Sequence, residues 1–411
     1  MLQTKKASYY TLGCKLNFSE TSTISRQLSE IGFKKVDFNS KADLVVINTC
    51  SVTENANKEC KRIIKKAKEI SPLAYIIVTG CFAQLKPKII SEIPEVNLVL
   101  GAQEKFNIPK LIKNINKEKI VGCELEDLAY ESSFSLYDRT RSFLKIQDGC
   151  DYPCTYCTIP LARGKSRCDS IDNIIFNTKV ISNRGVKEIV LTGVNIGEYK
   201  YNNNNFSDLV AKLDKDSNVD RFRISSIEPN KITEDVINIV KKSNSFMPHF
   251  HIPLQSGSDF ILSRMKRRYN TKLYANKINL ISNEIKDVCI GVDVIVGFPG
   301  ETKEEFEKTF NFIKSLPISY LHVFTYSERE NTEALKFNEI VNLKERRERS
   351  KKLRILSNKL RRSFYEKFLL TIQKVLFEQE NKSGFLYGFT ENYIKVKIKY
   401  NKELSGTIQI V

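Results

Sequence analysis

The sequence predicts an α/β protein in three parts: a doubly wound parallel sheet first, a partial (β/α)6 barrel in the middle, and a small β-barrel-like module last. Three observations carry that prediction. Over the first hundred residues, short apolar runs alternate with polar stretches of helical length. Near residue 142 a second alternation of six such units begins. After residue 371 the chain turns to short segments of alternating polarity, broken at Gly384, Gly388 and Asn392. A chain of 411 residues is expected to hold two or three domains. Their bounds are placed at 1–125, 136–340, a basic helical connection at 341–370, and 371–411.

In the first part, 8–14, 43–51, 75–81 and 97–102 read as strands, with helices over 18–31, 54–70 and 87–93. Such a βαβ rhythm makes a parallel sheet whose functional edge lies at the carboxyl ends of the strands. Cys14, Cys50 and Cys81 each close one strand, so they are expected to converge on that edge. Gly13, Asn48 and Gly80 beside them suit close approach to a compact ligand. Buried inert thiols are the alternative, and Cys60, Cys123 and Cys289 are assigned to structure.

Residues 103–141 are polar and irregular and read as a connection. The six strands that follow are expected at 143–148, 188–195, 221–228, 249–255, 289–298 and 320–327, with no antiparallel hairpin signal. Active groups should lie on the loops after each strand. Those loops include Thr192-Gly-Val-Asn195, Ser225-Ser-Ile-Glu228, Gln255-Ser-Gly-Ser258 and Gly297-Phe-Pro-Gly-Glu301, rich in groups that turn and hydrogen-bond to an adenosine-sized ligand. His249 and His251 share a strand face; packing in the barrel interior is favoured over a metal site.

The loop after the first of these strands reads Asp148-Gly-Cys-Asp-Tyr-Pro-Cys-Thr-Tyr-Cys-Thr158, that is C-x3-C-x2-C. Cys150, Cys154 and Cys157 can hold three irons of a cubane cluster and leave the fourth open. With Cys168 the same thiols could instead form a four-thiolate zinc site, or all could be structural thiols.

Composition narrows the partners. Lys+Arg number 66 against 48 Asp+Glu, a formal charge of +18, which favours a polyanion such as nucleic acid. Between residues 341 and 370 stand eleven of these cations: Lys344, Arg346, Arg347, Arg349, Lys351, Lys352, Arg354, Lys359, Arg361, Arg362 and Lys367. Leu353, Leu356, Leu360 and Phe364 recur there at helical spacing, so a basic amphipathic helix packed on the body of the protein is expected. In the last part, strands are expected at 374–378, 384–388 and 393–400. Lys395, Lys397 and Lys399 alternate on one face, with Tyr393 and Tyr400 nearby, an arrangement suited to RNA or to plain solvation. The opening residues have no apolar run, and no stretch of about eighteen apolar residues occurs. Neither export nor a membrane span is expected, and ten cysteines then read as metal ligands or thiols of a reducing cytoplasm.

Taken in order, these motifs resemble the methylthiotransferase family of radical S-adenosylmethionine enzymes. The resemblance rests on Thr11-Leu-Gly-Cys-Lys-Leu-Asn17, Asn48-Thr-Cys-Ser-Val-Thr53, Val78-Thr-Gly-Cys81, the three-cysteine loop, Arg163-Gly-Lys-Ser-Arg167 and His251-Ile-Pro-Leu-Gln-Ser-Gly-Ser258. It spans essentially the whole chain. It implies a central radical-SAM barrel with a [4Fe-4S] cluster on Cys150, Cys154 and Cys157, a second [4Fe-4S] cluster on Cys14, Cys50 and Cys81, and a C-terminal TRAM module that binds RNA. It also implies S-adenosyl-L-methionine in two roles, methyl donor and source of the 5′-deoxyadenosyl radical that attacks C2 of an adenine. Contacts to that cofactor are expected from Tyr156, Gly193, Asn195, Ser226, Glu228, Gln255 and Val296, with strand-end capping the alternative for Glu228 and Gln255. Arg163 and Arg167 are expected at a tRNA phosphate or a substrate carboxylate, or else in a structural ion pair. Gly13-Cys-Lys-Leu-Asn17, Leu191-Thr-Gly-Val-Asn195 and Lys266-Arg-Arg-Tyr269 point to the branch that modifies N6-threonylcarbamoyladenosine in the tRNA anticodon stem-loop. Isopentenyladenosine, a ribosomal protein side chain and a zinc-stabilised RNA-binding protein are the other readings. An electron-donor protein, no membrane and a monomeric state complete the expectations. Cys168 stands where the family more often has Ser, and the segment after Thr371 is short for the RNA module.

Overall fold

The computed structural model describes residues 5–51, 53–113, 119–123, 125 and 128–411. Val52 of the second cysteine motif, the opening residues 1–4, and 114–118, 124 and 126–127 of the expected connection lie outside the described residues. The chain divides into two compact units: Met1–Asp138 with Phe143–Tyr152 and Cys157–Asp169, and Arg139–Ser142 with Pro153–Tyr156 and Ser170–Val411.

The first unit runs β1 (Lys6–Thr11), α1 (Lys15–Glu30), β2 (Lys34–Lys35), β3 (Leu44–Thr49), α2 (Glu54–Ile70), β4 (Tyr75–Gly80), α3 (Cys81–Leu85), α4 (Pro87–Ser91), β5 (Leu98–Leu100), α5 (Ile108–Leu111) and β6 (Ile120–Val121). Among the described residues, the six strands form one parallel sheet in the order β2-β1-β3-β4-β5-β6. Alternation within β3 explains its two-sided burial. Val45 and Ile47 pack with Ile63 and Ile64 of α2, while Leu44 and Val46 pack with Ile24 and Leu28 of α1. Each such fully buried aliphatic side chain contributes about 1.5–3 kcal/mol relative to exposure. The Thr53 hydroxyl caps α2 by accepting from the Ala56 N–H. Part of the connection expected to be irregular forms α5 and β6, and β2 joins at the other edge; two-residue strands carry no readable period.

This unit continues through β7 (Arg141–Lys145, whose first two residues belong to the second unit), β8 (Gln147–Asp148), α6 (Ile159–Arg163) and β9 (Arg167–Cys168). β8 and β9 pair antiparallel, Gln147 with Cys168 and Asp148 with Arg167. They close the base of the three-cysteine loop.

The second unit holds α7 (Ile171–Ser182), β10 (Glu188–Thr192), β11 (Lys200–Tyr201), β12 (Asn204–Asn205), α8 (Phe206–Asp216), β13 (Arg221–Ile224), α9 (Glu234–Lys242), β14 (His249–His251), α10 (Asp259–Arg264), α11 (Thr271–Glu284), β15 (Cys289–Val296), α12 (Lys303–Ser315) and β16 (Tyr320–Thr325). β10 pairs parallel with β13, a Ser226–His251 bridge joins β13 to β14, and β14-β15-β16 are parallel. Ser170, Asn205, Thr233, Ser258, Asn270 and Thr302 each cap the helix that follows, typically about 1 kcal/mol per cap. The expectation of no antiparallel hairpin is corrected twice, at β8–β9 and at β11–β12, where Asn202 takes the left-handed turn position.

The basic helix is α13 (Leu343–Glu366), capped by Asn342. Leu353, Leu356 and Phe364 are buried, and the Ser357 hydroxyl accepts from the Leu321 N–H and donates to the Leu321 carbonyl. The helix thereby covers the edge strand β16. Two of its ten cations are not surface charges. Arg346 donates to the Val341 and Tyr326 carbonyls at 2.7 and 3.1 Å, and Arg349 to the Glu301 carbonyl at 2.6 Å.

The chain ends in β17 (Lys374–Phe377), β18 (Phe385–Thr390), β19 (Lys395–Lys399) and β20 (Ile408–Ile410), an antiparallel sheet ordered β19-β18-β17-β20. β20 was not expected from the sequence. Lys395, Lys397 and Lys399 are exposed on one face as expected, but their aromatic neighbours are Tyr387 and Phe385, at 4.4 and 3.6 Å from Lys395 and Lys397. Tyr393 turns the other way, against His249 and Phe389. Arg221 and Arg223 of β13 bind this sheet through its carbonyls, Arg221 to Phe389 and Lys374, Arg223 to Glu391 and Thr390, all at 2.8–3.1 Å.

Candidate functional site

A parallel sheet ordered 2-1-3-4-5 reverses direction between β1 and β3, and the crevice at the carboxyl ends there is where such sheets bind ligands. Cys14 follows β1 and caps α1, Cys50 follows β3, and Cys81 opens α3 directly after β4. The strand ends are in register, Thr11 with Asn48 and Asn48 with Thr79, so the three thiols stand on neighbouring strand ends at that crevice. Gly13, at φ +97°, leaves no room for more: a Cβ there would lie 2.7 Å from Cys50 Cβ and 2.8 Å from its sulfur. Asn17 fixes the crevice by donating to the Leu12 and Thr49 carbonyls at 2.8 and 2.9 Å. Its Oδ1 lies 3.9 Å from Cys14 Sγ. Cys50 and Cys81 are buried, and burial pushes the Cys81 thiol up.

Next to these thiols lies a buried ionic cluster. Arg163 donates to Glu20 at 2.9 Å, Asp148 at 2.8 Å and the Asn17 amide oxygen at 2.5 Å. Lys105 reaches Glu20 at 2.6 Å, Lys145 stands 3.6 Å from Asp148, and Arg167 donates to Asp148 at 3.1 Å. Burial opposes ionisation of Glu20, yet Arg163, Lys105 and Lys145 outweigh it and hold its carboxyl at about 2. Burial lowers Lys145 to about 8 against the pull of Asp148 and Glu20. Four cations therefore face two carboxylates, and an uncompensated buried charge is costly. The field of Arg163 extends to Cys81 and Cys14, so the cluster offers surplus positive charge beside those two sulfurs. Arg163 and Arg167 were expected at the substrate or in a structural ion pair, and both guanidinium groups stand in ion pairs of this cluster.

In the three-cysteine loop, each sulfur has a donor aimed at it. The Tyr152 N–H lies 3.4 Å from Cys150 Sγ, the Ile159 N–H 3.5 Å from Cys157 Sγ, and Arg267 Nη1 3.1 Å from Cys154 Sγ. Donors of this kind stabilise thiolates that ligate a cluster. Gly149, at φ +72°, permits the turn, since a Cβ would strike the Lys165 carbonyl. In the four-thiolate alternative Cys168 would be the fourth ligand. Cys168 sits opposite Gln147 in the β8–β9 pair.

Arg267 also donates to Glu228 and, at 3.1 Å, to the Tyr269 hydroxyl, which donates to the Pro253 and Leu254 carbonyls. Burial raises the Glu228 carboxyl even with Arg267 upon it. Glu228 and Ser226 follow β13, Gly193 and Asn195 follow β10, Gln255 (φ +66°) follows β14, and Val296 ends β15. Tyr156 packs edge-on against Phe298 beyond β15. All seven expected cofactor contacts thus sit at carboxyl ends of the parallel strands or pack beside one. His249 pairs with the Tyr320 hydroxyl at 2.9 Å and stacks near Tyr393, and His251 pairs with Asp293 at 2.7 Å.

Sequence reasoning missed Glu20, Lys105, Lys145 and Arg267. Glu20 had a signal: α1 buries Ser19, Glu20, Thr21, Ser22 and Ser25, a polar face on a helix with few apolar residues. Arg267 lies in the Lys266-Arg-Arg-Tyr269 run, which the sequence offers as a branch motif without showing what its guanidinium meets.

The fold and the loop define a radical S-adenosylmethionine protein. Residues 144–313 match the Radical SAM superfamily, and residues 6–101 match the uncharacterized protein family UPF0004. Among solved structures, a radical S-adenosylmethionine methyltransferase from Kitasatospora setae with cobalamin and a [4Fe-4S] cluster bound superposes with a TM-score of 0.58 at 12% identity, covering 79% of this chain and 75% of that one; the likeness is one of fold. Threonylcarbamoyladenosine tRNA methylthiotransferases are 38% identical in Bacillus subtilis (98% of this chain, 92% of the relative) and 34% in Aquifex aeolicus (99% and 100%). A tRNA-2-methylthio-N(6)-dimethylallyladenosine synthase of Endomicrobium trichonymphae is 32% identical over 96% of this chain and 94% of its own. The chain belongs to the radical S-adenosylmethionine methylthiotransferase family. It is an enzyme with an iron–sulfur cluster and S-adenosylmethionine as cofactors, and no helix among the described residues is long and apolar enough to cross a membrane.

Proposed function

We propose that the protein transfers a methylthio group to C2 of N6-threonylcarbamoyladenosine at position 37 of tRNA. The reading is carried by the near full-length similarity to threonylcarbamoyladenosine tRNA methylthiotransferases, and the thiol crevice of the first unit supports it. When bound, a reduced cluster with S-adenosylmethionine supplies the carbon radical that C2 of adenine requires. Cys150, Cys154 and Cys157 would hold that cluster by their thiolates, with the Tyr152 and Ile159 N–H groups and Arg267 donating to the sulfurs. Tyr156, Gly193, Asn195, Ser226, Glu228, Gln255 and Val296 line the cofactor, with Glu228 placed for its hydroxyl or amino groups. Cys14, Cys50 and Cys81 hold a second [4Fe-4S] cluster, its anionic charge balanced by the cationic surplus around Arg163.

The partners are the tRNA anticodon stem-loop and an electron-donor protein, the protein acts as a monomer in the cytoplasm, and the strands of 136–340 form a partial (β/α)6 barrel. The 371–411 module acts as a TRAM-like RNA binder, on the exposed row Lys395, Lys397 and Lys399 with Tyr387 and Phe385. The exposed cations of α13 extend that surface.

The test is the nucleoside content of tRNA from cells lacking the gene, read by mass spectrometry, with complementation by the wild type and by Cys150→Ala. Loss of 2-methylthio-N6-threonylcarbamoyladenosine, restored by the wild type alone, is the expected result. Loss of the isopentenyl product instead overturns the substrate and keeps the chemistry.

A further inference from the structure

All three histidines of the chain lie on two strands of one sheet, with an aspartate between them. Asp293 of β15 is the direct cross-strand neighbour of His322 on β16, and His251 of β14 pairs with Gly291, two residues before Asp293 on the same face. His251 Nε2 and Asp293 Oδ1 are 2.7 Å apart, and the His251 and His322 rings meet edge to face with centroids 5.3 Å apart. The polar atoms of the three residues lie within 4.8 Å of one another. The patch is open: His322 is exposed, and Phe324, two residues further along the same face, is 45% exposed.

The patch is also joined to the cysteine loop. His251 is bridged to Ser226, and Asp293 acts electrostatically on Glu228. Glu228 is bound by Arg267, and Arg267 by Cys154 Sγ. A ligand resting on the patch would lie one residue shell from the groups assigned to the cofactor. His249, lower on the same strand, is closed off by Tyr320 and Tyr393.

We propose that His251, Asp293 and His322 form the subsite for the polar N6 substituent of the target adenine and select threonylcarbamoyl over isopentenyl. The proposal rests on the tRNA-modifying reading given above. A threonylcarbamoyl group carries urea N–H donors, a hydroxyl and a carboxylate. Asp293 accepts from the N–H or hydroxyl while His251 Nε2 holds that acceptor in place, His322 donates to the carboxylate, and Phe324 offers a face to the purine. An isopentenyl group answers none of these and would desolvate the His251–Asp293 pair and His322 without returning a hydrogen bond. Sites built to hydrogen-bond a substrate reject the analogue that lacks the bond far more strongly than apolar pockets reject a missing methylene.

The test uses the anaerobically reconstituted full chain and two anticodon stem-loop oligonucleotides that differ only in carrying N6-threonylcarbamoyladenosine or isopentenyladenosine. His322→Leu and Asp293→Asn are expected to lower kcat/KM on the first by about tenfold or more, chiefly through KM. The preference between the two substrates should fall by the same factor. His322→Gln, which keeps a donor, should recover most of the loss. Iron content equal to wild type shows that the variants fold. If the wild type converts neither oligonucleotide, the reaction assigned above is wrong. If it converts the first and the variants keep the wild-type preference, the subsite is wrong and the reaction stands. Stoichiometric Zn2+ or Mn2+ binding that Asp293→Asn abolishes would overturn the subsite in favour of a metal centre of two histidines and a carboxylate.

Discussion

Cys150, Cys154 and Cys157 occupy one loop closed at its base by the β8–β9 pair, whereas Cys14, Cys50 and Cys81 are 36 and 31 residues apart and meet because three parallel strands end together. In the loop, backbone N–H groups and Arg267 cradle the sulfurs. At the strand ends, Gly13 and Asn17 shape the crevice, and the charge comes from a cluster centred on Arg163. A local site depends on its turn; a topological site depends on everything that holds the strand ends in register.

The arginines should separate the two sites most sharply. Arg163→Met removes buried charge-assisted bonds to Glu20, Asp148 and Asn17, leaving Glu20 to Lys105 and Asp148 to Arg167, and should cost about 3 kcal/mol in denaturant unfolding under anaerobic conditions. Arg267→Met removes the donor to Glu228, Cys154 Sγ and the Tyr269 hydroxyl, but burial already favours the neutral Glu228 carboxyl, so it should cost less. Equal losses would erase the distinction.

Gly13→Ala should follow, at about 1–3 kcal/mol from the left-handed backbone and the contact with Cys50. It should lower iron bound at the strand-end site and leave the loop site filled. Gly149→Ala should do the reverse.

A smaller effect tests the cationic surplus. Lys145 sits at about 8 in the folded protein against an ordinary 10.5. A lysine lowered by folding disfavours the folded state while charged, so the penalty is full below about pH 8 and fades as pH rises toward 10.5. Lys145→Met should flatten the rise in stability between those values; an unchanged slope places the titration elsewhere. Cys168→Ser should change neither iron content nor stability by more than about 0.5 kcal/mol, because Cys168 stands in the β8–β9 pair outside the three-cysteine loop; loss of iron would make it a fourth ligand.

The loop motif was legible because its chemistry depends on spacing within eight residues. The strand-end thiols were legible through the βα rhythm, since strands expected at 8–14, 43–51 and 75–81 ended close to where the structure ends them. What escaped was long-range. Glu20 joins Lys105 and Arg163 across 85 and 143 residues, a distance over which no local pattern runs. Arg267 was legible only as part of a branch motif, because sequence shows a run of cations but not the carboxylate and thiol that one of them meets. The strand β20 and the two-residue strands were too short to carry a period.

The measurement that bears most directly on two three-cysteine sites is iron content with Mössbauer spectroscopy on anaerobically reconstituted protein. Wild type is compared with the Cys14/Cys50/Cys81→Ala and Cys150/Cys154/Cys157→Ala variants. Two cubane clusters give about eight irons in the wild type and about four in each variant. About four irons in the wild type, lost wholly with the loop cysteines and untouched by loss of the strand-end set, would contradict the account.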